Sequence, residues 1–231
     1  LTVNATEGND RILIRQNFIA LINKGLDLDS DGYDDLERIN YNNSPTFDPT
    51  FNHGLGTWLG CTLERVILNT LGGNDYVVSD DTGTRFTING GDGNDIFQIA
   101  QVFNSARDAL AGIAPEDLFR TVKTTQGYLS RGISFEMIIN GGNGNDQFLV
   151  YHNKAELFVN GDAGDDKFLV RAFVVVDSSG DQQTTNIFTG EGINEVTYAI
   201  NAPVKIDGGA GFNTLVILLT EYKDEVVITE D

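Results

Sequence analysis

A glycine- and aspartate-rich block of nine residues recurs along the chain and constrains its fold more than any other feature. Residues 90–98 and 141–149 both fit the pattern G-G-x-G-x-D-x-U-x, in which U is a large apolar residue. Residues 161–169 lack only the second glycine, and residues 70–78 and 5–13 keep positions four, six and eight. Recurring blocks of this kind indicate stacked units that bury their apolar residues against one another.

Two later copies, at 189–197 and 208–216, carry Asn194 and Asn213 where the other copies carry aspartate. Both could be metal-free turns, and the sequence leaves this open. The sixth position of the other five copies is occupied by Asp10, Asp75, Asp95, Asp146 and Asp166. Gly-Asn-Asp sequences also form tight turns without metal, so a purely structural role is the alternative for these copies as well.

These blocks resemble the hemolysin-type, or RTX, calcium-binding repeat of secreted bacterial proteins. The resemblance is confined to the seven nonapeptides. It implies that the glycine-rich turns bind Ca²⁺ and that the apolar residue of each block enters a parallel β-roll. The spacing differs from the tandem nonapeptides of that family, because Asp75 and Asp95, like Asp146 and Asp166, are 20 residues apart.

Alternating apolar residues flank each block, as expected for strands on either side of a turn. The predicted fold class is therefore all-β: a single elongated, β-roll-like parallel β-solenoid over residues 1–231, with coils of about 20 residues. The residue just before the block is usually asparagine, which predicts a ladder of stacked amides. Its members would be Asn4, Asn69, Asn89, Asn140 and Asn160.

Longer steps between blocks predict insertions at about 15–60, 101–132 and 172–184. The first insertion is expected to be rich in β-hairpins, with strands near 18–23 and 36–41. The second is expected to contain one short helix at 114–123, because Pro115 and two acidic residues stand where a helix would start.

Calcium prefers six to eight oxygen ligands, and a glycine-rich turn can supply carbonyl oxygens beside a carboxylate. Turns on adjacent coils would lie roughly 4.8 Å apart, so that one ion could take oxygens from both. The candidate ligands in these turns are Asp10, Asp75, Gly90, Asp92, Asp95, Gly141, Asn143, Asp146, Gly161, Asp162 and Asp166. Stacking these carboxylates without a counter-ion predicts that folding is coupled to calcium.

A second candidate calcium loop lies in the first insertion and resembles the D-x-D-x-D-G pattern of an EF-hand. Its candidate ligands are Asp27, Asp29, Asp31, Tyr33 and Asp35. The twelfth position is Arg38 instead of a bidentate carboxylate, so a solvated acidic loop is the alternative.

Several functions are disfavoured by composition. The net charge of -19 and the 15 scattered Lys and Arg residues argue against a nucleic-acid partner. No run of apolar residues is long enough for a transmembrane segment. The only candidates for nucleophilic chemistry are His53, His152 and Cys61, and the carboxylates recur as repeats, so no catalytic residues are predicted.

The sequence therefore predicts a calcium-binding structural module of a larger secreted or cell-surface protein, such as an adhesin, surface-layer component or filament. Its partners would be neighbouring domains of the same longer polypeptide. The first alternative is an accessory RTX repeat region of an exported enzyme or toxin. The second is a carbohydrate-binding module with a glycan or surface partner, in which Trp58, Tyr33, Tyr41 and Phe51 would stack on sugars.

Overall fold

The computed structural model describes residues 1–22, 36–41, 46–48, 57–59, 63–108, 118–175, 184–187, 194–199 and 202–220. Within these ranges the protein consists of β-strands and turns, without a helix. The all-β class predicted from the sequence is confirmed. The strands, numbered β1 to β22 in chain order, form three large sheets and one small sheet.

The first sheet is six-stranded and wholly parallel. In spatial order it contains β1 (Thr2–Asn4), β7 (Arg65–Asn69), β9 (Arg85–Asp92), β14 (Met137–Asn143), β16 (Leu157–Ala163) and β21 (Val204–Asp207). Asn69 pairs with Asn89, Asn89 with Asn140, and Asn140 with Asn160, so the glycine turns after these strands lie in register.

The second sheet is eight-stranded and mixed. Its parallel part contains β22 (Thr214–Leu218), β17 (Lys167–Arg171), β15 (Gln147–Val150), β10 (Ile96–Ile99), β8 (Tyr76–Ser79) and β2 (Arg11–Ile14). Two antiparallel strands, β3 (Phe18–Ile22) and β4 (Leu36–Asn40), continue the sheet beyond β2. Each pair of strands joined by a glycine turn contributes one strand to the first sheet and one to the second, and we call such a pair a layer.

The main apolar core contains residues from the facing strands of the first and second sheets. The eighth position of the repeat supplies Phe97, Phe148 and Phe168, whose rings stack in nearly parallel planes at centroid distances of 5.3 and 4.8 Å. These three side chains are almost completely buried, and each such burial stabilises the fold by about 1.5 to 3 kcal/mol. The apolar column predicted from the repeat is thus a principal component of the core.

The predicted asparagine ladder is present in the first sheet. Asn69 Nδ2 donates to Asn4 Oδ1 at 2.7 Å, and Asn89 Nδ2 donates to Asn69 Oδ1 at 2.7 Å. Asn140 and Asn160 continue the same pattern at 2.8 and 2.7 Å. Each amide therefore links its layer to the preceding layer, which fixes the register of the strands.

The third sheet is antiparallel, and its described strands pair with one another and not with strands of the first two sheets. It contains β11 (Val102–Phe103), β13 (Gly127–Ser130), β12 (Thr121–Thr124), β18 (Phe173–Val175), β20 (Asn194–Ala199) and β19 (Thr184–Ile187). A small antiparallel sheet pairs β5 (Thr46–Asp48) with β6 (Thr57–Leu59). The predicted insertions thus supply strands to both of these sheets, and the first insertion also supplies strands β3 and β4 of the second sheet.

The predicted single parallel β-solenoid is wrong, because the second sheet is mixed and the third is antiparallel. The physical reason lies in the insertions, whose own apolar strands pair with one another instead of forming loops. Phe173, Leu129 and Ala100 are fully or almost fully buried in a separate apolar cluster beside the third sheet. These segments thus have a core of their own.

The predicted short helix is also wrong within the described residues. Its first residues, 114–117, lie outside them, but Leu118–Arg120 have no regular structure and Thr121–Thr124 form strand β12. β12 pairs antiparallel with Gly127–Ser130 through a tight turn, in which Gly127 has a φ of 136°. Three of the four β12 residues are β-branched, which favours the strand over the helix.

The repeat copy at 189–197 does not form a layer, contrary to the sequence alignment. Residues 189–193 lie outside the described residues, but Asn194–Ala199 form β20 and pair antiparallel with β18 and β19. The copy at 208–216 stacks directly on the copy at 161–169 instead. Asn213 therefore follows Asp166 in the stack, although the two residues are 47 positions apart in sequence.

Candidate metal site

Six glycine turns lie one above another where strands of the first sheet lead into strands of the second. Their residues are 5–10, 70–75, 90–95, 141–146, 161–166 and 208–213. We call this stack the turn column. Parallel bridges continue through the turns, pairing Gly142 with both Gly91 and Asp162, so the column has the same register as the sheets.

Glycine at position 4 of the repeat is required by the turn itself. Gly93 and Gly144 have φ values of 133° and 132°, which side chains rarely adopt. A β-carbon on Gly144 would also overlap the Gly93 carbonyl oxygen of the neighbouring layer. This glycine is therefore explained by close backbone packing and gives no information about a metal.

The aspartates at position 6 form a continuous column that is withdrawn from solvent. Asp75 is 2% exposed, and Asp95, Asp146 and Asp166 are each 1% exposed. The Oδ1 atom of each carboxylate accepts a hydrogen bond from the backbone N–H of the equivalent residue in the preceding layer, at 2.7 to 2.8 Å. Asn213 Oδ1 ends this series by accepting from Asp166 N–H at 2.9 Å.

The second oxygen of the same carboxylates has no hydrogen-bond partner. Asp75, Asp95, Asp146 and Asp166 all have a buried, unpaired Oδ2. Leaving a buried charged oxygen unpaired costs several kcal/mol by order of magnitude, so four such atoms in one column require an explanation.

Glycine at position 1 allows two oxygens from adjacent layers to approach the same point. A β-carbon on Gly90 would lie within 3 Å of both Asp95 Oδ2 and the Gly141 carbonyl oxygen. The same arrangement recurs at Gly141, between Asp146 Oδ2 and the Gly161 carbonyl, and at Gly161, between Asp166 Oδ2 and the Gly208 carbonyl. A carboxylate oxygen and a carbonyl oxygen from adjacent layers therefore converge on each of three small spaces, at 2.1 to 2.7 Å from the β-carbon position. These distances exclude a side chain but resemble the distances of calcium–oxygen contacts.

The electrostatics of the column disfavour bare carboxylates. Burial raises the pKa of Asp95 to about 6 and the pKa of Asp146 to about 7, and the charges of neighbouring aspartates add to both shifts. Burial likewise raises the pKa of Asp75 and of Asp166. Burial therefore disfavours the charged form of these carboxyls, and a bound proton or a bound cation would offset this penalty.

Asp10 differs from the other members of the column. Its Oδ2 accepts hydrogen bonds from Thr6 N–H at 2.8 Å and from Thr6 Oγ1 at 2.9 Å. It is also somewhat more exposed, at 8%. The structure thus places all five predicted aspartates in one column, and it supplies Asp10 Oδ2 with the hydrogen-bond donors that Oδ2 lacks at the other four.

Three other predicted ligands lie at the exposed rim of the turns. Asp92 Oδ1 accepts a hydrogen bond from Asn143 Nδ2 at 2.7 Å, and both residues are exposed. Asp162 is exposed at position 2, where it has a φ of 65°. These side chains are at a different position of the turn from the buried aspartates.

The second predicted calcium loop, with Asp27, Asp29, Asp31, Tyr33 and Asp35, lies outside the described residues. In the part of the chain that the structure covers, no group of three or more His, Cys, Asp or Glu side chains is arranged around a common point. The turn column provides one carboxylate per layer and would rely on backbone carbonyls for further oxygens.

Among the aromatic residues considered for glycan binding, Tyr41 is buried and donates to the Arg15 carbonyl at 2.6 Å. It therefore does not offer a stacking face to a sugar. Tyr33, Phe51 and the side chain of Trp58 lie outside the described part of the protein.

A second group of buried acidic residues was missed by the sequence analysis. Asp80 contacts Arg15 Nε at 3.4 Å and accepts from Gln101 Nε2 at 3.0 Å, and Asp81 lies 3.8 Å from Arg131. Burial raises the pKa of both carboxyls, while Arg15 opposes the shift at Asp80. Their partners come from distant segments, so no local motif marks them.

His152, one of the two histidines considered for catalysis, is buried beside this group. Its Nδ1 lies 3.1 Å from the Ser130 carbonyl oxygen. Burial lowers the pKa of His152, which favours the neutral ring with Nδ1–H as the donor. His53 and Cys61 lie outside the described residues.

No protein-family model matches the chain, and no curated protein or solved structure is significantly similar to it. A search of the described residues for a helix of sufficient length and hydrophobicity to cross a membrane finds none.

Proposed function

We propose that this chain binds calcium along the turn column and serves as a structural module of a larger secreted or cell-surface protein. The observation that carries the proposal is the series of buried Oδ2 atoms without hydrogen-bond partners, at Asp95, Asp146 and Asp166, each of which converges with a carbonyl oxygen of the next layer beside a glycine.

The chemistry of the donor set favours a hard cation. The groups that point at each space are a carboxylate oxygen and a backbone carbonyl oxygen, without nitrogen or sulfur. Such oxygen ligands suit Ca²⁺ or Mg²⁺, and Ca²⁺ tolerates the irregular geometry of a backbone turn better. The residues that would hold the ions are Asp95, Asp146 and Asp166, with the carbonyls of Gly141, Gly161 and Gly208. Bound calcium would supply the positive charge that the buried carboxylates lack.

The regular recurrence of the site supports a structural role instead of a catalytic one. Equivalent oxygens recur layer after layer, whereas an active site requires a unique arrangement of different groups. An extracellular location follows as part of the proposal, because millimolar calcium outside the cell can saturate sites of modest affinity. The resemblance to the RTX repeat supports the same location.

Equilibrium dialysis of the chain in millimolar calcium, followed by elemental analysis, tests the proposal. We expect several bound ions in the wild type and fewer in the Asp95→Asn/Asp146→Asn double variant. Asn213 already occupies the same column position, so asparagine is compatible with the turn. Asp92→Asn, which changes an exposed carboxylate of the same turn, is the matched control and should retain the wild-type number.

A wild-type chain that binds no calcium under these conditions would refute the proposal. Equal numbers of ions in the wild type and the double variant would show that the buried column is not the binding site.

A further inference from the structure

The first two layers of the turn column differ from the next three at position 1 of the repeat. Ala5 and Thr70 stand there in the first two layers, whereas Gly90, Gly141 and Gly161 follow. Thr70 shows that a side chain at position 1 is compatible with the fold. Glycine in the later layers is therefore explained by the oxygens that converge beside it and not by the backbone conformation of the turn, since none of these three glycines has a positive φ.

The Thr70 side chain lies between the Asp75 carboxylate and the Gly90 carbonyl, which are equivalent to the two groups that converge beside Gly90 in the following layer. Thr70 is completely buried, and its Oγ1 donates to the Gly90 carbonyl oxygen at 2.5 Å. In the next layer, Asp95 Oδ2 and the Gly141 carbonyl have the corresponding positions but no side chain between them.

In the first layer a threonine also lies beside the aspartate of the column, but it stands at position 2 of the repeat instead of position 1. Thr6 supplies both its N–H and its hydroxyl to Asp10 Oδ2. In the first layer an amide and a hydroxyl hydrogen therefore face Asp10 Oδ2, whereas in the second layer the Thr70 hydroxyl hydrogen faces the Gly90 carbonyl and Asp75 Oδ2 has no hydrogen-bond partner. The described chain provides no such hydrogen-bond donor to Oδ2 of Asp95, Asp146 or Asp166.

We propose that threonine takes the place of the cation in the first two layers, so that the turn column binds calcium only beside Gly90, Gly141 and Gly161. The Thr70 β-carbon and methyl group fill the space, and its hydroxyl already donates to the carbonyl that an ion would need. This inference rests on the proposed function. It makes residue 70 the position that sets where calcium occupancy begins.

Counting ions in three variants of the full chain tests the inference. Thr70→Gly recreates the arrangement of the glycine layers beside Asp75 and should bind one more calcium than the wild type. Thr70→Val has nearly the same shape without the hydroxyl, and it should bind no additional ion because the space stays filled. Gly161→Thr is the reciprocal change and should bind one ion fewer. Native mass spectrometry with calcium alone gives the counts, and circular dichroism confirms that each variant is folded.

The test compares the number of calcium ions bound by each variant with the number bound by the wild type, because sites elsewhere in the chain contribute equally to both numbers. If folded Thr70→Gly and wild type bind equal numbers of ions, the role of Thr70 is refuted while calcium binding by the column stands. The role of Thr70 is likewise refuted if Thr70→Val gains an ion or if folded Gly161→Thr loses none. A wild type that binds no calcium refutes the proposed function itself, and this inference with it.

Discussion

Replacing Asp146 with asparagine should stabilise the protein in the absence of calcium, although it removes a candidate ligand. The Asp146 carboxyl is 1% exposed, and its pKa is raised from 3.8 to about 7. That difference corresponds to a penalty of about 4 kcal/mol on the folded state when the group is ionised. Asparagine carries no charge and can retain Oδ1 as the acceptor for Asp95 N–H, as Asn213 does for Asp166.

The same raised pKa also predicts how the stability of the metal-free protein changes with pH. Because the folded pKa of Asp146 lies above its unfolded value, the contribution of this group to stability is fully present below about pH 3.8 and is lost as the pH rises through about 7. Metal-free wild type should thus gain about 2 to 3 kcal/mol from Asp146 between about pH 7.5 and about pH 5. The Asp146→Asn variant lacks this gain, so its advantage over wild type should shrink in acid.

Urea unfolding in excess EGTA, at about pH 7.5 and about pH 5, measures both effects. We expect Asp146→Asn to exceed wild type by about 2 to 4 kcal/mol at the higher pH, and by about 1 kcal/mol or less at the lower pH. Asp92→Asn should change stability by about 0.5 kcal/mol or less, because its carboxylate is exposed. A less stable Asp146→Asn variant at the higher pH would refute the idea that the buried charge is uncompensated.

Three further predictions concern calcium and the layers. Adding calcium to metal-free protein near pH 7 should release protons, because Asp146 and Asp95 have raised pKa values; a pH indicator in weak buffer should record the release, which should vanish near about pH 9. Removing calcium with EGTA should lower the melting temperature of wild type and should affect Asp95→Asn/Asp146→Asn less. The loss in stability should be about 2.7 kcal/mol for each ion whose free concentration was a hundredfold above its Kd. An unchanged wild-type melting temperature would show that calcium does not stabilise the fold. Phe148→Ala should cost about 3 to 5 kcal/mol in urea unfolding, since the ring is 1% exposed and stacks on Phe97 and Phe168, whereas a cost below about 1 kcal/mol would contradict the described core.

The repeated positions could be predicted because each copy of the motif adopts the same local conformation, so that equivalent residues of successive layers lie above one another. The ladder from Asn69 to Asn89 and the buried column from Phe97 to Phe148 follow directly from aligning the glycine turns. The detailed hydrogen bonding of the aspartates could not be predicted. Whether Oδ2 of Asp95 has a hydrogen-bond donor depends on how closely the layers approach one another, which the motif does not specify.

The antiparallel pair of β3 and β4 confirms the hairpin predicted for the first insertion. The helix of the second insertion and the repeat copy at 189–197 were predicted wrongly, because their local signals compete with pairing partners elsewhere in the chain. Pro115 favours a helix start, but Thr121 and Val122 pair with Ser130 and Leu129 in a hairpin. Asn194 matches the repeat, yet it pairs with Ile187 in an antiparallel ladder. Long-range strand pairing decides the structure of these segments, and a motif of nine residues carries no information about that pairing.

The unequal lengths of chain between adjacent layers have a consequence for the order of folding. Hydrogen bonds between neighbouring aspartate positions join residues 20 apart in two cases, from 75 to 95 and from 146 to 166, but 65, 51 and 47 apart in the others. Closing a connection of 51 or 65 residues instead of 20 costs only about 1 kcal/mol more in chain entropy. The two short connections should therefore close first and form separate nuclei, which later join across the longer segment. Because the entropy cost grows so slowly with length, a large segment can be inserted between two layers with little loss of stability, provided that it buries its own apolar residues.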